Sequence, residues 1–535
     1  MSERYPRVAS FRDAAALRAR LTALGLELPC DDDVLAAFDS PLAEPLDVAL
    51  PSGARRLANR FVIQPMEGWD GEPDGRPGEL TVRRWRNSGR SGAALMWGGE
   101  AVAVRADGRA NPRQLVLTDA TAASLGALRG ELVAAARESG GVAGRESRAA
   151  LVAEGSPWTG AIPGERSDPS ATSGRATSPS AEPLVGLQLT HSGRWSRPTD
   201  AGRAPRVAFR HPLLDVRSGV DSDEAVLDDR EIDDLIRSFA RAARLAREEG
   251  FEFVDVKHCH GYLLHEFLAA RSRPGAYGGA SLEARSRLAF AAIAAVRDAA
   301  PELAIGVRLS IFDALPHRPE DVDAAGRLGR GVPEPHDGPY DHAFGLDREH
   351  PENVDLAEPI AFVRRLVQAG VTWINVTAGS PYYVPHVQRP AAFPPSDGYA
   401  PPEDPLAGVV RLLRVARDLK AAVPEAVVVS SAWSYLQEYV PHVAQACVRA
   451  GWFDAVGLGR MVLSYPEFPR DALAGKPLDR KRLCRTFSDC TTAPRHGLVS
   501  GCYPLDPYYR ARPERGEVER IKRGAGERRG VPPTR

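Results

Sequence analysis

Cysteine is scarce in this sequence: the 535 residues carry six thiols, at Cys30, Cys259, Cys447, Cys484, Cys490 and Cys502. They are too few and too unevenly spread for the disulfide scaffold of a secreted domain, and a reducing, cytoplasmic setting is expected. Net charge is missing too. With 69 basic against 70 acidic residues the chain has no bias toward a polyanion, so no nucleic-acid partner is expected. No apolar run approaches the ~20 residues that span a bilayer, and the arginine-dotted N-terminus holds no apolar stretch of a secretory leader. No membrane partner is expected. No G-x-G-x-x-G follows a strand-like run, which disfavours a dinucleotide-binding Rossmann domain.

What is present is an ordinary globular composition, 43% apolar and 26% charged, with one sharp change of character. From Ser139 to Pro183 the chain turns to Gly, Ser, Ala, Pro and Arg, a mixture that buries too little apolar surface to offset ordering entropy and predicts a flexible insertion at 139–183. An irregular loop is predicted at 317–352, a helical extension at 1–50 carrying Leu17, Leu21 and Leu24 at helical spacing, and a basic tail at 510–535. Between these breaks lie eight short apolar runs: 60–67, 94–102, 184–191, 253–259, 304–310, 373–379, 426–432 and 455–460. Amphipathic stretches alternate with them. After Asp229, Ile232, Leu235, Ile236 and Phe239 share one helical face and the pattern stops at Gly250. Comparable helices are predicted after Glu79, Thr118, Ser281, Val354, Pro405 and Ser434. Eight strands alternating with helices point to an α/β fold, a (β/α)₈ TIM barrel spanning 51–509.

In that architecture chemistry sits where the strands end. The runs here close on polar residues: Glu67, Gln188, His191, Lys257, His260, Arg308 and Arg460. Each alone could cap a strand; together they mark a site.

The segments NRFVIQPMEGWDG (59–71), GLQLTHSGRWSRP (186–198), HGYLLHEFL (260–268), RPGAYGGASLEARSRL (273–288), VRLS (307–310) and GLGRMVLSYPEFP (457–469) carry a resemblance. Together they resemble the old yellow enzyme family of FMN-dependent oxidoreductases, and within it the branch of 2,4-dienoyl-CoA reductase and trimethylamine dehydrogenase. The resemblance implies FMN on the barrel, with NADH or NADPH as reductant and a small-molecule substrate. It assigns Gln188 to the flavin pyrimidine edge, Arg308 to the charge beside N1, and the backbone at Pro65, Met66 and Gly98 to the ring's surroundings. It assigns the phosphate to backbone N–H groups at Ala432, Trp433, Gly459 and Arg460. Ala432 stands in a turn that is commonly glycine-rich, and is expected to serve with negative φ. Glu67 follows Pro-Met where relatives often carry Thr or Cys; ionised it would disfavour reduced flavin, protonated it could donate. On the substrate side the resemblance makes His260 and Lys257 the holders of the substrate oxygen and Tyr262 the proton donor. Lys257 replaces a histidine, and its charge would favour anionic activating groups; pairing with Asp255 is the other reading. Tyr382, Tyr383 and His386, after the sixth strand, are expected in the substrate pocket.

The same branch holds a 4Fe-4S cluster through four cysteines spaced C-x₂-C-x₃-C-x₁₁-C. Here Cys490 and Cys502 keep the last interval, but only Cys484 precedes them, with Phe487 and no cysteine in CRTFSDC. An all-cysteine cluster cannot be completed. No metal is expected, with Cys484, Cys490 and Cys502, and His496 as a fourth donor, the only candidates. The sequence stops at Arg535, soon after the eighth strand, so the branch's downstream nucleotide-binding domains are expected to be absent. The leading reading is an NAD(P)H-dependent ene-reductase. Flavin-dependent amine oxidation or demethylation stays open, since Trp97, Trp195, Tyr382, Tyr383 and Trp433 could form an aromatic cage for a cation. Two readings come from other classes: a Schiff-base aldolase using Lys257, or a barrel that only binds flavin or phosphate. Oligomeric state is not legible.

Overall fold

In the computed structural model, which describes residues 5–36, 38–144, 179–320 and 329–528, eight parallel strands close into a barrel. They are β1 (Phe61–Ile63), β2 (Leu95–Met96), β3 (Leu184–Thr190), β4 (Phe253–Val256), β5 (Ala304–Ser310), β6 (Trp373–Thr377), β7 (Val427–Ser430) and β8 (Ala455–Leu458). Each pairs with the next, and Val456 beside Phe61 closes the ring. The strands are buried nearly throughout, as the interior and the helical layer both cover them, which is why they read as unbroken apolar runs rather than alternating ones.

The run at 94–102 departs from expectation. After β2 the chain bends at Gly98, φ 89°, and pairing resumes at Ala101–Ala103 beside Gln188, Leu189 and Thr190. Gly98 and Gly99 serve this bend. A Cβ on Gly98 would lie 3.2 Å from the Gly186 carbonyl oxygen, and one on Gly99 would lie 2.2 Å from Trp85 Nε1. The lower barrel is filled by Trp97, Phe253 and Trp373, with ring centroids 4.7 to 6.3 Å apart.

The outer helices are α1 (Glu79–Gly89), α2 (Ala122–Glu138), α3 (Asp229–Glu248), α4 (Leu282–Ala299), α5 (Ala357–Gln368), α6 (Pro405–Ala422), α7 (Val440–Arg449) and α8 (Phe468–Leu473). Helix α3 shows how local signals and packing agree. Asp228 accepts from the Glu231 amide while the Glu231 side chain accepts from the Asp228 amide, satisfying two end donors. The helix ends before Gly250, φ 82°, and buries Ile232, Leu235 and Phe239, each side chain contributing roughly 1.5–3 kcal/mol.

Within 1–50 lie the helix Ala14–Ala23 and the first strand of a hairpin, Leu46–Leu50, paired with Gly53–Leu57. Residues 145–178 of the expected insertion and 321–328 of the expected irregular loop lie outside the described residues. The rest of that loop contains a short ribbon, His317–Pro319 against Gly331–Pro333. Near the end of the chain Glu514–Arg528 is helical. Among the described residues no helix is long and apolar enough to cross a membrane.

Candidate active site

The segments that follow the barrel strands enclose a cavity of about 490 Å³. Gln64 lines it and is held from beneath by a buried amide: Gln64 Nε2 donates to Asn375 Oδ1 at 2.9 Å, and Asn375 Nδ2 donates to Gln64 Oε1 at 2.7 Å. Gly457 leaves the room for it, because a Cβ there would lie 2.0 Å from Gln64 Nε2. Asp255, at the end of β4, is the buried anchor beside this pair. It accepts from Trp97 Nε1 at 2.7 Å, from the Arg308 amide at 2.7 Å and from Gln188 Nε2. Burial raises its pKa despite those donors. Gln188 therefore lines the cavity with its amide nitrogen engaged below.

One wall carries Glu67, Lys257 and Tyr262. The Tyr262 hydroxyl donates to Glu67 Oε1 at 2.5 Å and lies 3.1 Å from the Tyr382 hydroxyl. Lys257 Nζ lies 3.6 Å from Glu67 Oε1 and 3.7 Å from the Tyr262 ring centroid. Lys257 is thus the partner of Glu67, and the expected alternative of an Asp255–Lys257 pair is not formed. Burial, then the Glu67 charge, holds the Tyr262 phenol well above its ordinary pKa, so it carries its proton at neutral pH. His260 sits in left-handed backbone, φ 67°. That conformation is fixed by its amide donating to Ser310 Oγ at 2.9 Å and its carbonyl accepting from Ser380 Oγ at 2.8 Å. Burial, with Arg308 and Lys257 nearby, keeps its imidazole far below the ordinary pKa and hence neutral.

The cavity is also rich in cations that have no counter-ion among the described residues. Arg308 is 7% exposed, and its Nε has no hydrogen-bond partner among the described residues. Arg460 Nε and Arg389 Nη1 are likewise buried and unpartnered. Both side chains touch the same turn, Arg460 reaching Thr491 Oγ1 at 3.4 Å and Arg389 reaching Ser488 Oγ. Burial and the Arg460 charge lower the Arg389 pKa to about 10. Buried guanidinium nitrogens without acceptors are costly unless an anion completes them. Ala432, Trp433, Gly459 and Arg460 border this end, where backbone N–H groups are available to a phosphate. The residues present therefore fit an anionic cofactor of the FMN type: Arg460 and Arg389 could meet its phosphate and Arg308 is a buried cation, while Pro65, Met66 and Glu67 line the same cavity.

Several expectations are corrected. Gly98 does not reach the cavity, because it is spent on the bend in the barrel wall. Tyr383 points into the core, its hydroxyl donating to Asp313 Oδ2 at 2.7 Å. His386 lies outside the main cavity, bonded to the Tyr399 hydroxyl at 2.7 Å. Tyr382 alone of that trio lines the site. Ala432 has φ 81° rather than a negative value, the left-handed conformation that favours glycine. His191 holds its own loop, its Nδ1 accepting from the Gly193 amide at 3.1 Å. Of the thiols, Cys490 borders the cavity, while Cys484 and Cys502 do not; Phe487 packs on Phe393, centroids 5.4 Å apart. Among the described residues no three His, Cys, Asp or Glu side chains come together as a metal site. Sequence reasoning missed Gln64, Arg197, Arg203 and Arg389. Gln64 was signalled as the polar residue inside FVIQPME; the three arginines stand in loops without any periodic signal.

The chain is thus an eight-stranded α/β barrel whose strand ends face a cavity bordered by buried cations that have no ion-pair partner among the described residues. Residues 180–329 match the NADH:flavin oxidoreductase / NADH oxidase family. A metal reductase of Desulforamulus reducens is 26% identical over 329 residues, 61% of this chain and 38% of that protein. 12-Oxophytodienoate reductase 1 of Oryza sativa subsp. japonica is 41% identical over 135 residues, 24% of this chain and 35% of the relative. The matched segments thus span little more than a third of these relatives. Among solved structures, a 2-naphthoyl-CoA reductase complex shares the fold with TM-score 0.60 and 15% identity, covering 89% of this chain and 58% of that one. Morphinone reductase in complex with tetrahydroNAD does so with TM-score 0.53 and 18% identity, covering 87% and 96%. The family similarity thus rests on residues 180–329, and a further relative, an NADPH dehydrogenase of Geobacillus sp., is 27% identical over 199 residues, 37% of this chain and 45% of that protein.

Proposed function

We propose that the protein is an NAD(P)H-dependent ene-reductase, reducing a carbon–carbon double bond conjugated to an electron-withdrawing group. When bound, FMN supplies the hydride transfer between the nicotinamide and the alkene. Arg308 provides a fixed positive charge at the buried edge of the site, and Arg460 with the 432–433 turn holds the phosphate end. Negative charge that develops on the substrate oxygen is met by the neutral His260 and by Lys257, which Glu67 keeps in position. Tyr262 holds the proton required at the α-carbon. After transfer the Lys257 side chain over the ring offsets the phenolate charge, and the adjacent Glu67 carboxylate favours its return to the protonated form. The observation that carries this reading is the Tyr262 hydroxyl, protonated and facing the cavity between a carboxylate, a second phenol and a cation.

Amine oxidation is disfavoured by the same wall. Three aromatic faces of the cavity are taken by the chain's own cations: Tyr262 by Lys257, Trp69 by Arg197 and Trp195 by Arg203. Trp97 and Tyr383 do not line it. A cationic amine would enter against charge of its own sign. The aldolase reading loses support because Lys257 Nζ is engaged by Glu67 at 3.6 Å and by the Tyr262 ring face at 3.7 Å rather than presented to a substrate carbonyl. The test is reconstitution with FMN under anaerobic conditions. NADPH or NADH should bleach the flavin and 2-cyclohexenone should restore its colour; failure to retain FMN, or reduced flavin that no enone reoxidises, would overturn the proposal.

A further inference from the structure

From Tyr262 a row of side chains runs outward to the mouth of the cavity. The Tyr382 ring lies parallel to Trp195, centroids 4.5 Å apart and 8° between planes. The Arg203 guanidinium lies 5.4 Å from the Trp195 ring, and Arg197 lies 5.1 Å from the Trp69 ring. Neither arginine has an ion-pair partner among the described residues, and Arg197 Nε is buried without a hydrogen-bond partner. The other arginines at this mouth are matched: Arg495 with Asp397 and Arg217 with Glu334. All four border the same cavity.

We propose that Arg197 and Arg203 form a subsite for an anionic group of the ene substrate, a carboxylate or a phosphate, with its conjugated part lying along Tyr382 and Trp195. The idea rests on the ene-reductase reading and narrows its substrate class. Guanidinium groups set over indole rings with no ion-pair partner among the described residues have N–H donors to spare, and such donors bind an oxyanion in bidentate fashion. Partial burial and the neighbouring Arg197 and Arg495 charges lower the Arg203 pKa, a crowding of like charge that a bound anion would relieve. The edges of the Tyr382–Trp195 pair and a cationic end together favour a conjugated, anionic molecule over a small neutral enone.

The probes are 4-carboxybenzalacetone and its methyl ester, which share enone and ring but differ in the remote charge. With oxidised FMN holoenzyme, Kd is read from the perturbation of the flavin spectrum. The acid should bind about tenfold tighter than the ester, the size of one charge-assisted contact, and higher salt should narrow the gap because Arg203 is exposed. Arg197→Gln with Arg203→Gln should erase the preference mainly by weakening the acid, Arg203→Lys should retain part of it, and Arg203→Glu should reverse it. FMN content and far-UV circular dichroism confirm that each variant folds. Equal affinities in the natural protein, or a preference that survives in the double variant, would overturn the subsite. So would a loss confined to flavin reduction by NADPH relative to NADH. Reoxidation of reduced flavin by either probe tests the ene-reductase reading separately, so the two can fail independently.

Discussion

Ala432 holds the left-handed conformation at φ 81° and ψ 16°, where a Cβ meets the following carbonyl at a strain of roughly 1–2 kcal/mol. Glycine would remove that strain while adding ~0.4–1 kcal/mol of unfolded-state entropy. Ala432→Gly is therefore expected to stabilise the protein slightly, raising Tm by about 1–2 °C. A fall in Tm would show that the methyl group makes packing contacts worth more than the strain. Arg389 offers a sharper test of the cofactor site, because its charge is buried beside Arg460 with Nη1 unpartnered. Replacing it by glutamine should weaken FMN binding by at least about tenfold while leaving riboflavin, which has no phosphate, nearly unaffected. Flavin fluorescence quenching measures both affinities. Equal losses for the two flavins would assign Arg389 to general packing instead.

At the scale of elements, the loop after β6 shows how a local sequence signal misleads. Tyr382, Tyr383 and His386 stand in one polar, aromatic segment, yet the helical turn Pro385–Gln388 sends them to three environments. Tyr383 enters the core and donates to Asp313, whose carboxyl is pushed up to about 7 by burial. A carboxyl whose folded pKa lies above its unfolded value favours the fold fully at low pH, and that contribution is lost as pH rises through the folded value. Between pH about 4 and 7 the natural protein should therefore lose stability relative to Asp313→Asn. Parallel pH slopes in thermal unfolding would contradict this. The barrel strands, by contrast, were legible in position, because burial on both faces leaves continuous apolar runs, but not in their carboxyl ends: the run at 184–191 became Leu184–Thr190, whereas that at 60–67 holds only Phe61–Ile63. The division of the second run was not legible, since it depends on Gly98 meeting the backbone of β3. Lys257 could not be assigned its partner either. Glu67 comes from another strand end, and only closure of the barrel brings the two within 3.6 Å.

For the molecule as a whole, an almost neutral chain conceals a strongly cationic cavity. Arg197, Arg203, Arg308, Arg389 and Arg460 all border it without a carboxylate partner among the described residues. A ligand bound only by the folded state stabilises it by mass action, about 2.7 kcal/mol at a hundredfold excess over Kd. FMN should accordingly raise Tm, and riboflavin should do so less at equal concentration. The division of labour inside that cavity is tested most directly by anaerobic stopped-flow on Tyr262→Phe holoenzyme. Flavin reduction by NADPH or NADH should stay within about twofold of the natural protein, while reoxidation by an enone should slow by about 10²-fold or more. Equal slowing of both half-reactions, or unimpaired reoxidation, would contradict Tyr262 as the proton donor.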